Sequence, residues 1–134
     1  MTVVDASIVV RLLQNRQGDE RLRAEFGQYR NVHAPALIDA EVTSAIRGLL
    51  LASKPSINIS ATRAEEMLED FADLPVVRYS MQPYQRRALS LRHNFTAYDA
   101  LYVALAESLG MPLLTDDQKF VKSAGHTAIV ETWR

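Results

Sequence analysis

Tyr98-Asp99-Ala100-Leu101-Tyr102-Val103-Ala104-Leu105-Ala106-Glu107, running on through Leu109-Gly110-Met111-Pro112-Leu113-Leu114-Thr115-Asp116-Asp117, is the stretch whose reading decides the fold. Thr96 is placed to cap a helix with Asp99 at its third position. The alanines and leucines then carry that helix to Gly110, which accepts positive φ. Pro112 to Thr115 reads as a short apolar strand that stops on a hydroxyl and two acids. Two carboxylates, Asp99 and Asp117, therefore flank one helix-strand unit.

The rest of the chain repeats this alternation. Thr2 to Val4 is a β-branched run ending on Asp5, and Ala6 to Leu13 continues as a helix. Gln17 to Tyr29 is a surface helix with Leu22 and Phe26 inward. Asn31 to Ala34 is a second strand stopped by Pro35. From that proline, Leu37, Ile38, Glu41, Val42, Ala45, Ile46 and Leu49 keep helical spacing. Lys54-Pro55-Ser56 breaks the helix, and Ser60 to Thr62 cap an acidic helix through Asp73. Val76 to Tyr79 is a third strand and Gln82 to His93 a helix. After the fourth strand come a short helix from Asp117 to Ser123, with Phe120 inward, and a fifth strand at Ala128 to Val130. Strands alternating with helices in so short a chain mean crossover connections. The expected fold is α/β: a parallel sheet of about five strands covered on both faces, with residues 1–134 as one domain.

Composition narrows the function classes. There is no cysteine, so any metal must rest on oxygen or nitrogen, and a reducing compartment is expected. The start lacks the pattern of a secretory signal and no run reaches membrane-spanning length, so a cytoplasmic protein is expected. Fifteen basic against sixteen acidic residues give a formal charge of -1, which argues against non-specific coating of nucleic acid. Setting aside Asp5, Glu41, Asp99 and Asp117 leaves fifteen basic against twelve acidic residues, a net +3 that could accept a polyanion around a bound cation.

Each of those four acids has an ordinary explanation. Asp5 can cap a helix, Asp99 can complete a capping box, Asp117 can complement a helix first turn, and Glu41 can be half-exposed. Together they say more. In parallel sheets ligands collect outside the carboxyl ends of the strands, where Asp5 and Asp117 both stand and where the helix carrying Asp99 begins. Glu41 interrupts an apolar stripe of Ile38, Val42, Ala45 and Leu49, and a buried lone carboxylate is costly unless a cation or donors offset it. Four converging carboxylates suit Mg2+ or Mn2+. Ser7 and Thr115 can orient those carboxylates or touch a phosphate. His33, His93 and His126 are scattered and read as structural, and no Gly-rich phosphate loop is present.

Val3-Val4-Asp5-Ala6-Ser7, Pro35-Ala36-Leu37 through Glu41, Tyr98 through Ala106, and Pro112 through Asp117 resemble the PIN-domain family, and within it the VapC-like toxins of type II toxin-antitoxin systems. The resemblance implies a three-layer α/β/α fold and a magnesium-dependent endoribonuclease site. Asp5, Glu41, Asp99 and Asp117 match the family's acids by position. Asp116 falls at a variable position, and Asp39 competes with Glu41 from another helix face. The resemblance further implies a metal-activated water that leaves a 5′-phosphate and a 3′-hydroxyl. Its partners would be an RNA substrate, a cognate antitoxin covering the acidic groove, and a second copy in a homodimer. Arg11, Arg16 and Lys54 are candidates for RNA backbone contacts, and Leu49-Leu50-Leu51 for a partner surface. The alternatives are a PIN-fold RNA-processing nuclease without an antitoxin, and a non-catalytic receiver-like module. The latter needs an acid ending the third strand, which Val76-Val77-Arg78-Tyr79 lacks.

Overall fold

The computed structural model describes residues 1–133 and has a five-stranded, all-parallel sheet. The strands are β1 (Thr2–Val4), β2 (Val32–Pro35), β3 (Val76–Tyr79), β4 (Leu113–Thr115) and β5 (Val130–Thr132), in the order β3-β2-β1-β4-β5. The helices are α1 (Ala6–Gln14), α2 (Glu20–Gln28), α3 (Ile38–Leu51), α4 (Ala61–Asp73), α5 (Gln85–Ser90), α6 (Ala97–Leu109) and α7 (Lys119–Lys122). The chain winds from β1 outward to β3, then returns to place β4 on the other side of β1. With right-handed crossovers, that reversal sends the later helices to the opposite face. Accordingly α1, α3 and α4 pack on one another, while α5 packs on α6 and α6 lies against β1 and β2. The central strands read as apolar runs because both faces are covered: Val3, Val4, Val32, Ala34 and Leu113 have no exposure.

Local chemistry sets the element ends. Asp5, Ser60 and Thr96 cap α1, α4 and α6, each accepting a backbone N–H with its side chain. Gly110 closes α6 at φ 63°, a left-handed conformation where a Cβ would be strained. Among the described residues no helix is long and apolar enough to cross a membrane.

Several boundaries differ from the sequence reading. Pro35 ends β2, paired with Tyr79, and α3 starts three residues later; proline is tolerated at this last strand position, and the next donor to β3 is the Ala36 amide, 2.8 Å from the Tyr79 carbonyl. Gln82 to His93 is not one helix but a 3-10 turn over Gln82–Tyr84 followed by the short α5. The fifth strand lies at Val130–Thr132 rather than Ala128 to Val130, because pairing with Leu113–Thr115 fixes its register. Leu49 and Leu50 pack against the core, so only Leu51 of that run faces outward, 65% exposed.

Glu107 ties the last third of the chain together. Its carboxylate accepts two hydrogen bonds from Arg87 at 2.9 Å and others from the Thr127 amide and hydroxyl at 2.8 and 3.1 Å. The Arg87 hydrogen bond is the main reason its pKa is held down at about 2, from an ordinary 4.5. The fold therefore favours the ionised form. The stabilisation is complete above pH 4.5 and is lost as pH falls toward 2. Because Arg87 is 43% exposed, screening reduces the effect to about 1–2 kcal/mol. Denaturant unfolding at pH 5 and pH 3 should show a drop of that size in wild type and a smaller one in Glu107→Gln; equal drops in the two would refute the assignment.

Candidate active site

The sheet's winding reverses between β1 and β4, and the carboxyl ends of these neighbouring strands carry Asp5 and the Thr115-Asp116-Asp117 turn. This is the crevice where open α/β sheets bind ligands. Asp5 is 5% exposed. Its Oδ1 accepts from the Ser7 hydroxyl at 2.7 Å and the Ile8 amide at 3.2 Å, and its Oδ2 accepts from the Thr115 hydroxyl. Those two hydroxyls also hold the turn after β4, since Ser7 Oγ accepts the Asp116 amide at 3.1 Å and Thr115 Oγ1 the Asp117 amide at 3.0 Å. Asp5 thus positions the loop that carries Asp117. Burial pushes its carboxyl up to about 6, against the hydrogen bonds from Thr115, Ser7 and Ile8; the charge of Asp117 adds to the rise.

Asp99 enters at the third position of α6, with its amide donating to Thr96 Oγ1 at 3.2 Å. Its carboxylate turns to Lys119, whose Nζ lies 2.8 Å from Asp99 Oδ2 and 3.2 Å from Asp117 Oδ2. Glu41, in the first turn of α3, is half-buried and accepts the Tyr102 hydroxyl at 2.6 Å. Burial raises its pKa, the Tyr102 bond opposes the rise, and the charge of Asp99 adds to it. Burial, then the bond to Glu41, raises the Tyr102 phenol, so it remains a donor.

The four expected acids are therefore gathered on one edge, with Ser7 and Thr115 bonded to Asp5. The competing acids point elsewhere. Asp39 is held by Arg78 through three hydrogen bonds of 2.8–2.9 Å, and Asp116 pairs with Arg11 at 2.8 Å. The basic candidates stand in different places. Arg11 is engaged by Asp19 and Asp116, and Arg16 lies 3.6 Å from Asp19. Lys54 follows the far end of α3, whose 14 residues run back about 21 Å from the acids, so it stands at the opposite edge of the sheet. Tyr102 and Lys119 escaped the sequence reading. Tyr102 could have been found three residues after Asp99 on the same helix face; Lys119 carries no sequence signal that marks it. His93, read as structural, lines a cleft of about 430 Å³ with Arg92, Asp99 and Lys119.

The donors here are all oxygens, which suit a hard divalent cation. An ammonium already occupies the position shared by Asp99 and Asp117. Among the described residues no three Asp, Glu, His or Cys side chains converge tightly enough to enclose an ion.

Comparison with known proteins identifies the family of the fold. The family model of the PIN domain matches residues 2–125. Ribonuclease VapC12 of Mycobacterium tuberculosis is 39% identical over 135 residues, covering 98% of each chain, and ribonuclease VapC1 of the same organism is 36% identical over 127 residues, covering 92% of this chain and 90% of its own. Among solved structures, VapBC2 from Rickettsia felis, bound to a promoter DNA fragment, superposes with a TM-score of 0.68 at 13% identity, covering 99% and 98% of the two chains. PAE2754 from Pyrobaculum aerophilum gives 0.68 at 20% identity, covering 96% and 87%. These structures share the fold, and the sequence kinship places the chain more closely: it belongs to the PIN-domain family, alongside the VapC ribonucleases.

Proposed function

We propose that the chain is a single-domain, divalent-cation-dependent endoribonuclease, with Mg2+ or Mn2+ as the cation, acting as the toxin of a type II toxin-antitoxin module. The observation that supports the chemistry is the gathering of Asp5, Asp99 and Asp117 at the switch point, two of them already sharing one cationic group. Kinship with VapC ribonucleases supplies the substrate class. Asp5, Asp99, Asp117 and Glu41 would hold the cation. Once bound, it supplies charge to the scissile phosphate and acidifies a water. Ser7 and Thr115 keep Asp5 ionised and aimed, and Tyr102 fixes Glu41 by its hydroxyl. Arg92, on the cleft beside Asp99, joins Arg11, Arg16 and Lys54 as a basic side chain that would contact the RNA backbone.

The antitoxin would cover this edge with a basic side chain, a pairing of the kind that Lys119 makes with Asp99 and Asp117. A homodimer and a cytoplasmic location complete the reading. Its test is cleavage of a mixed cellular RNA pool by the purified chain, with Mg2+ or with chelator. Discrete cation-dependent fragments bearing 5′-phosphates are expected; no cleavage by folded protein under any divalent cation would overturn it. Tyr102→Phe should lower cleavage about tenfold, the scale for losing a hydrogen bond that orients a metal-holding group. Single-turnover rates within twofold of wild type would remove Tyr102 from the site.

A further inference from the structure

We propose that Lys119 is the exchangeable counter-ion of the acidic edge. Its ammonium bridges Asp99 and Asp117 while no divalent cation is bound, and releases both when one binds. The proposal rests on the cation-binding reading of these acids. The Nζ distances of 2.8 and 3.2 Å place one positive charge between two carboxylates that come from different elements, α6 and the turn after β4. Without it these like charges would face each other, beside Asp5, whose own ionisation Asp117 already disfavours.

The side chain is built to leave. Lys119 is 55% exposed, whereas its neighbour Phe120 is 1% exposed and anchors the backbone of α7. The ammonium can therefore swing into solvent on its four-carbon stem without repacking the core. A lysine also holds carboxylates as a compact point charge rather than in the fixed two-pronged clasp of an arginine. The contrast within this molecule is the Arg78 clasp on Asp39, made of three hydrogen bonds. A doubly charged ion taking oxygen ligands gains more from the same two carboxylates than the ammonium does.

The test is titration of Mn2+, followed by the paramagnetic resonance signal of free ion, into wild type, Lys119→Met and Lys119→Gln, each checked for native circular dichroism. With the competitor removed, both variants should bind Mn2+ about fivefold more tightly, which is the scale of a partly exposed ion pair. Lys119→Arg, which keeps the charge and adds a clasp, should bind no more tightly than wild type. Unchanged affinity in both neutral variants would overturn the exchange while leaving the cation site intact. Weaker binding would overturn it too, by making Lys119 an assembler of the acids. Failure of wild type itself to bind Mn2+ would overturn both the exchange and the cation reading.

Discussion

Asp5→Asn is expected to lose at least about 10³-fold in RNA cleavage, about 4 kcal/mol of transition-state stabilisation, and to keep its fold. The activity loss follows from removing the charge of the carboxylate at the centre of the switch point. The retained fold follows from the same burial that raises the Asp5 pKa to about 6. A buried neutral amide avoids the desolvation cost of a carboxylate, and the Asn carbonyl can still accept from Ile8 and Ser7. Only the Thr115 bond must be rearranged. Stability should thus be unchanged or higher by about 1 kcal/mol. Single-turnover cleavage and a thermal melt on one preparation check both halves; cleavage within tenfold of wild type would refute the role of Asp5.

Phe120→Ala should have the largest effect on stability, about 3–4 kcal/mol, seen as a fall of about 10–15 °C in melting temperature. The ring is fully buried, with Phe95 at a centroid distance of 5.8 Å. Its helix, α7, has four residues and little hydrogen bonding of its own, so this one side chain holds the segment in place. Asp117 and Lys119 flank it. Cleavage should therefore be lost along with stability, and Phe120→Leu should restore more than half of both. A loss below 1 kcal/mol would show that α7 is held by other contacts.

Much of this was legible because local chemistry and long-range packing agree. Thr96 and Gly110 mark α6 from both ends, and four of the five strands lie within a residue of where their β-branched or apolar runs place them. The failures lie where a partner decides. A three-residue edge strand at Val130–Thr132 takes its register from β4, not from its own composition. The acids were legible as a set because topology sends strand ends to one edge. The contacts that govern them were not. The Tyr102 bond to Glu41 spans 61 residues, and the Lys119 bridge to Asp99 joins side chains that only the folded edge brings together. The basic residues carry no such signal: charge alone does not say that Arg11 pairs with Asp19 and Asp116 while Lys54 follows the far end of α3.

The hydrogen bond from Thr115 to Asp5 joins residues 110 positions apart. A ribosome adding about 5–20 residues per second needs roughly 5–20 s to travel that distance. During that interval the nascent chain carries Asp5 but not the strand, turn and lysine that complete its surroundings. The edge that joins Asp5 to Thr115 thus cannot form until most of the message has been read, and termination before Thr115 yields a chain without the strand and turn that complete it.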